Sequence, residues 1–172
     1  KEATDLETYQ LSLAKCTLTE HLAHYSTKQG QFYAVPAGTI HHIGAGNLLV
    51  EVQQSSDLSF RVYDFERIDK DGNKRQRHTA LAEKSIIFEE KSNALCEYTE
   101  QANASTFVID QKKFKVSLLS VDSLQTISYA HLDSFVAWTI VEGEAEVKNE
   151  EGEKIIVKLG ETLLWPAGLN RL

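Results

Sequence analysis

The chain contains no methionine. It retains no initiator and opens directly on KEATDLETYQ, which reads as the front of a helix, so a fragment of a longer protein is expected. It has only two cysteines, Cys16 and Cys96, far apart and in no C-x-x-C pair. That excludes a disulfide framework and suits a reducing, cytoplasmic setting. No stretch approaches the ~18 uncharged apolar residues of a membrane span, and no basic-then-apolar leader is present. Positive charge is in deficit: 18 Lys and Arg against 25 Asp and Glu leave a net charge of −7. Nucleic acid needs a basic face for its phosphates, so it is not expected as the main partner. An anionic small substrate would need a local basic pocket. There is no P-loop, no dinucleotide-binding glycine motif and no Ser-His-Asp arrangement.

What remains is an ordinary globular composition, 42% hydrophobic and 25% charged over 172 residues, enough for one sizeable core or for parts of two small domains. The first 26 residues read as two short helices joined near Lys15–Cys16. Thr4 with Glu7 and Thr17 with Glu20 fit the T-x-x-E capping box, and Leu6, Leu11, Leu13, Leu18 and Leu22 recur at helical spacing. From Gly30 the pattern turns to strands. QFYAV, NLLVEVQ and LSFRVYDF are β-rich runs between glycine turns, and DKDGNK (69–74) carries the Asp-Gly of a tight turn. A brief helix is expected over Thr79–Lys84. Strands are expected in SIIFEE, STFVID, FKVSLLSVD, TISYAHL, SFVAWTIVEGEAEV and IIVKL.

An internal repeat organises these runs. GQFYAVPAGTIH begins at Gly30 and GETLLWPAGLNR at Gly160, both built as Gly-polar-x-Φ-x-Φ-Pro-Ala-Gly. Two copies of one supersecondary unit are implied. The second copy follows strand–EGE–strand–EEGE–strand, whereas helices precede the first, so both ends of the chain are expected to be cut.

Among candidate functional side chains, His41 follows the first Pro-Ala-Gly turn, at a strand end where a ring can face a barrel mouth; a surface or core histidine is the alternative. Its counterpart in the second copy, Arg171, cannot ligate a metal. In NLLVEVQ, Glu51 and Gln53 share one strand face, costly if turned inward unless something there needs them, and ordinary on a solvent edge. Asp57 and Arg61 flank a short span, as a structural ion pair or as an arginine fork for a carboxylate or phosphate. Arg67, Lys70, Lys74, Arg75 and Arg77 gather around the Asp-Gly turn and read as a solvated hairpin tip. His21 and His24 lack a nearby third ligand. Trp138 and Trp165 read as core.

PAGTIHHIGAGNLLVEVQQSSDLSFRVYDFER resembles the signature region of the type I mannose-6-phosphate isomerases, zinc-dependent cupin enzymes. The PAGTIH turn, the Glu before QQSSD, and R-V-Y-D with Arg67 carry the match. It runs more loosely through RQRHTALAEKSI into VEGEAEV and GETLLWPAG, and it resembles the shorter bacterial members most. The resemblance implies a mainly β fold of paired cupin jelly rolls with short helices. Residues 1–29 would be a helical segment, 30–85 the last strands of the catalytic cupin, and 86–172 a second cupin without metal. It implies His41 as a zinc ligand and Arg61 as the active-site arginine, with Glu51 and Asp57 lining the site. His42 falls where the family more often has a small residue and is not assigned to the metal. The implied reaction interconverts mannose 6-phosphate and fructose 6-phosphate through a cis-enediol, with a sugar phosphate as partner. The family's other zinc ligands, a Gln, a His and a Glu, lie in an N-terminal cupin expected outside this chain, as the missing N-terminal part of the same protein. The competing readings are a non-catalytic sugar-binding or regulatory cupin domain and a different metal cupin such as a dioxygenase. The polar set Glu51, Asp57 and Arg61 disfavours the first, and Asn170 and Arg171, where a histidine would be needed, disfavour the second.

Overall fold

A computed structural model describes residues 5–56, 58–88 and 93–168. Within them the chain is mainly β, with few and short helices, the content that a cupin-like fold predicts. It divides into two units, Lys1–Thr99 with Thr106–Leu118, and Glu100–Ser105 with Leu119–Leu172.

The first unit opens on α1 (Leu6–Ala14), capped by Asp5, whose carboxylate accepts from the Thr8 amide at 2.7 Å. That bond answers one of the free amides of the first turn. Thr4, expected as the cap, lies outside the described residues. The second helical segment is a 3-10 turn, Leu18–His21, and Thr17 makes no side-chain cap there. The buried face of α1 is Tyr9 and Ser12, and not the leucine set: Leu6 and Leu11 are exposed. Tyr9 supplies the larger surface to bury, packing edge-on against Phe88 at 5.7 Å. Strand β1 (Phe32–Tyr33) pairs antiparallel with β2 (Leu95–Cys96), and α2 (Thr79–Glu83) buries Ala82.

Two expected strands do not form. Residues 47–56 and 58–64 carry β-rich sequence, yet no ladder forms on them among the described residues beyond the Arg61–His78 contact, and Leu48 is 99% exposed. β-branched composition favours a strand only where a neighbour supplies the ladder and the covered face. TISYAHL also forms no strand; it turns where Leu132 N–H donates to Tyr129 O at 2.8 Å. No strand is assigned in the described part of SIIFEE.

STFVID and FKVSLLS become β3 (Ala104–Asp110) and β4 (Lys115–Ser120), which pair and contribute residues to both units.

The second unit is built from two nested antiparallel pairs. Strand β5 (Val136–Thr139) pairs with β8 (Thr162–Trp165), and between them β6 (Glu144–Lys148) pairs with β7 (Lys154–Lys158). Alternation sorts their faces as the sequence pattern requires. Val147, Val157 and Trp165 are buried, with Val136, Trp138, Ile140, Ala145 and Leu163 packed on them. The opposite face of β6–β7 carries charge: Glu144 stands across from Lys158, and Lys154 Nζ donates to Glu146 at 2.6 Å. Backbone bonds continue from one pair to the other through Leu159 N to Gly143 O (3.2 Å) and Gly160 N to Ile140 O (2.8 Å).

The repeat is visible in the backbone. Gly30 and Gly160 both have left-handed φ, +79° and +84°, and each precedes a strand, β1 and β8. The glycines of the two Pro-Ala-Gly segments differ in their surroundings. Gly38 is at φ +85°, and a Cβ there would lie 2.8 Å from both Ser85 O and Ile87 Cγ1. Gly168 has nothing within 4 Å.

Candidate functional site

The PAGTIHH turn is shaped by its own sequence. Thr39 N–H donates to Pro36 O at 3.2 Å, with Gly38 in the left-handed region at the third position, the type II arrangement that glycine suits. The carbonyl of Thr39 then lies 3.0 Å from His41 Nδ1. A carbonyl oxygen can only accept, so Nδ1 carries a proton and the lone pair of a neutral ring sits on Nε2. His41 is exposed. A backbone carbonyl on the second nitrogen is the usual setting of a histidine ligand. His42 turns elsewhere: its ring lies 4.8 Å from that of Phe65, which also meets Tyr63 at 5.0 Å and the Arg67 guanidinium at 5.7 Å. This stacking ties the histidine turn to the R-V-Y-D-F-E-R segment.

Arg61 opens that segment, half-buried. Its amide donates to His78 Nδ1 at 3.1 Å, and its Nη1 donates to Gln76 O at 3.0 Å. His78 N–H donates back to Arg61 O at 2.8 Å. Three residues on, Asp64 is 5% exposed. It takes both forks of Arg75, Nε to Oδ2 at 2.7 Å and Nη2 to Oδ1, and an ion pair from Arg67 at 3.1 Å. The Arg75 hydrogen bond holds the Asp64 carboxyl below the ordinary range for aspartate, with the charges of Arg75, Arg67 and Arg61 adding to it. Glu66 is likewise lowered, first by the Lys74 hydrogen bond, and it pairs with Arg77 at 3.4 Å. The basic group is exposed, as a solvated tip requires, but most of it is also ion-paired. Arg67, Lys74, Arg75 and Arg77 are all paired, while the Asp-Gly turn itself forms as expected, with Gly72 at φ +82° and Asp69 N–H on Asn73 O at 2.8 Å.

Glu51 is exposed, with no hydrogen bond or ion pair among the described residues, and Asp57 lies outside them. No hydrogen bond, ion pair or ring contact among the described residues joins His41 to Arg61. Sequence reasoning missed Asp64 and His78. Asp64 stood inside the R-V-Y-D motif, and its place beside the five basic residues Arg67, Lys70, Lys74, Arg75 and Arg77 was the signal that could have found it. His78 had no such signal.

Zinc calls for three protein ligands and an open position. The tautomer of His41 suits one ligand. Among the described residues, however, no group of three or more His, Cys, Asp and Glu is placed to hold a metal ion. By themselves these residues do not fit a zinc ion. No described helix is long and apolar enough to cross a membrane.

The chain is similar to several curated proteins. It is 29% identical over 171 residues to mannose-6-phosphate isomerase ManA of Bacillus subtilis, covering 98% of this chain and 53% of that protein. It is 31% identical over 146 residues to YvyI of the same organism, named as a candidate mannose-6-phosphate isomerase, covering 85% of this chain and 46% of that one. Mannose-6-phosphate isomerase of Streptococcus mutans matches at 34% over 113 residues, 66% of this chain and 36% of the relative. The chain thus spans about half the length, or less, of the curated relatives it matches. No family profile matches the chain, and no solved structure does.

Proposed function

Because the chain is mannose-6-phosphate-isomerase-like along its length, we propose that it is the C-terminal portion of a cytoplasmic aldose–ketose isomerase that interconverts mannose 6-phosphate and fructose 6-phosphate. The observation that carries this reading is the similarity over 98% of the chain to a relative named for that activity. In this reading residues 30–85 are the last strands of the catalytic cupin and 86–172 a second cupin without metal. The site is completed by an N-terminal cupin outside this chain, which supplies a Gln, a His and a Glu to a zinc ion alongside His41.

The reaction moves the C2 proton of the aldose to C1 and the O2 proton to O1 through a cis-enediol. The base needs a carboxylate within reach of both carbons, and Glu51 and Asp57 are the residues we assign to line that position. Arg61 holds negative charge, on the enediol as it ionises or on the substrate phosphate, with its planar fork. Its fixed backbone and its Nη1 bond to Gln76 O suit that role, since electrostatic stabilisation depends on a donor that does not have to reorganise.

The test uses the whole polypeptide encoded by the gene that contains this chain. Its conversion of mannose 6-phosphate is followed by coupled spectrophotometry and its metal content by elemental analysis. About one zinc per chain and steady turnover are expected. Arg61→Ala is expected to keep the zinc and lose turnover by about 10²-fold or more, and His41→Ala to lose the zinc. A whole protein without turnover, or an Arg61→Ala variant near the normal rate, overturns the proposal.

A further inference from the structure

We propose that His78 is a positioning residue for Arg61, an inference that rests on the catalytic reading of Arg61 given above. The two residues face each other as an antiparallel hydrogen-bonded pair does, in which each residue normally gives its N–H and takes through its C=O. One half of that exchange is ordinary: His78 N–H donates to Arg61 O at 2.8 Å. The other half cannot be, because His78 O is already committed to the start of α2, accepting from Leu81 N at 3.1 Å and Ala82 N at 2.9 Å. The imidazole stands in for the missing carbonyl: its Nδ1 accepts the Arg61 amide at 3.1 Å. An amide N–H can only donate, so Nδ1 must carry a lone pair and the ring proton must sit on Nε2. That is the opposite tautomer to the one Thr39 O imposes on His41.

The position therefore requires an acceptor one carbon beyond Cβ, which a carbonyl-bearing Asn offers and an apolar ring does not. Phe60 meets the His78 ring edge-on at 6.2 Å and limits where it can turn. Two residues earlier, Gln76 O takes the Arg61 guanidinium, and one residue before that Arg75 takes Asp64. The run Arg75–His78 thus holds Arg61 at its amide, its carbonyl and its guanidinium. With the His78 acceptor gone, the Arg61 peptide loses one of its two backbone anchors, and the aim of the guanidinium is set by Gln76 alone. Misplacement of a charge-holding group by about 1 Å costs up to ~10²-fold in rate.

The experiment compares His78→Phe and His78→Asn in the whole polypeptide. His78→Phe keeps a planar ring against Phe60 and removes the acceptor; it is expected to lower kcat tenfold or more while KM changes less and zinc content stays. His78→Asn returns an acceptor at the δ position and is expected to recover most of kcat. Thermal midpoints of both variants separate this from general destabilisation, which would not follow the acceptor. In the wild type, ¹⁵N NMR should place the His78 proton on Nε2 and show a coupling through the hydrogen bond between Arg61 N and His78 Nδ1. A folded His78→Phe variant with wild-type kcat overturns the inference, as does a His78→Asn variant no better than His78→Phe, or a proton found on Nδ1. Absence of turnover in the wild type instead overturns the functional reading and this role with it. The NMR coupling then tells whether the clamp itself exists.

Discussion

Truncating Val157 to Ala tests where the core of the second unit lies. Val157 is 4% exposed on the inner face of β7, in one cluster with Val147 and Trp165. The substitution removes two buried carbons, about 1.6 kcal/mol at ~0.8 kcal/mol each. The space left between Val147 and Trp165 is closed only in part by relaxation, which raises the expected loss to ~2–3 kcal/mol. Its neighbour Ile156 is a larger residue, yet it is 56% exposed on the charged face opposite. Ile156→Ala removes more carbon and should cost no more than about 1 kcal/mol, mostly lost strand preference. The assay is built in: Trp138 and Trp165 are the chain's two tryptophans, and both sit in this unit, so intrinsic fluorescence on heating or in urea reports it. A unit of this size should lose roughly 10–20 °C of midpoint in Val157→Ala. Equal shifts in the two variants, or a larger one in Ile156→Ala, would refute the face assignment.

Three further outcomes are expected. Asp64 and Glu66 titrate lower folded than unfolded, so they add stability above their unfolded pKa values, about 3.9 and 4.3, and that stability is lost as pH falls through the lowered folded values. Acid unfolding followed by circular dichroism should therefore steepen below about pH 4, and Asp64→Asn should flatten it; an unchanged acid limb in that variant contradicts the pairing. Gly38→Ala should destabilise the first unit by more than ~2 kcal/mol, since strain at φ +85° adds to a clash with the Ser85 backbone. Gly46→Ala, at φ +81° with nothing within 4 Å, should cost only ~1 kcal/mol, and comparable urea midpoints for the pair would dismiss the clash.

How much of this was readable beforehand depended on range. The strands and turns of residues 136–165 were legible because alternation and the EGE and EEGE turns agree over a short stretch, whereas the pairing of β5 with β8 was not read. The Asp-Gly turn and α2 were legible for the same local reason. Residues 47–64 misled, because composition specifies willingness to be a strand and says nothing of the partner. The leucines of α1 misled in a similar way: which stripe is buried was decided by Phe88, far along the chain. In the candidate site, His41 and Arg61 came from a resemblance and from motif chemistry. Asp64 and His78 did not, for their partners stand 11 and 17 residues away and only folding brings them together.

The nesting of one strand pair inside another has a kinetic consequence. The β6–β7 pair closes over a tight turn, and the backbone bonds through Gly143 and Gly160 continue outward until β5 meets β8. Once the inner pair has zipped, the chain between Thr139 and Thr162 behaves as a loop roughly threefold shorter, which spares about 1 kcal/mol of closure entropy for the outer pair. Folding should then run from the inside out, with truncation at Val147 slowing folding and truncation at Val136 mainly speeding unfolding. Stopped-flow fluorescence would read the order directly, and a slower folding arm for Val136 than for Val147 would reverse it.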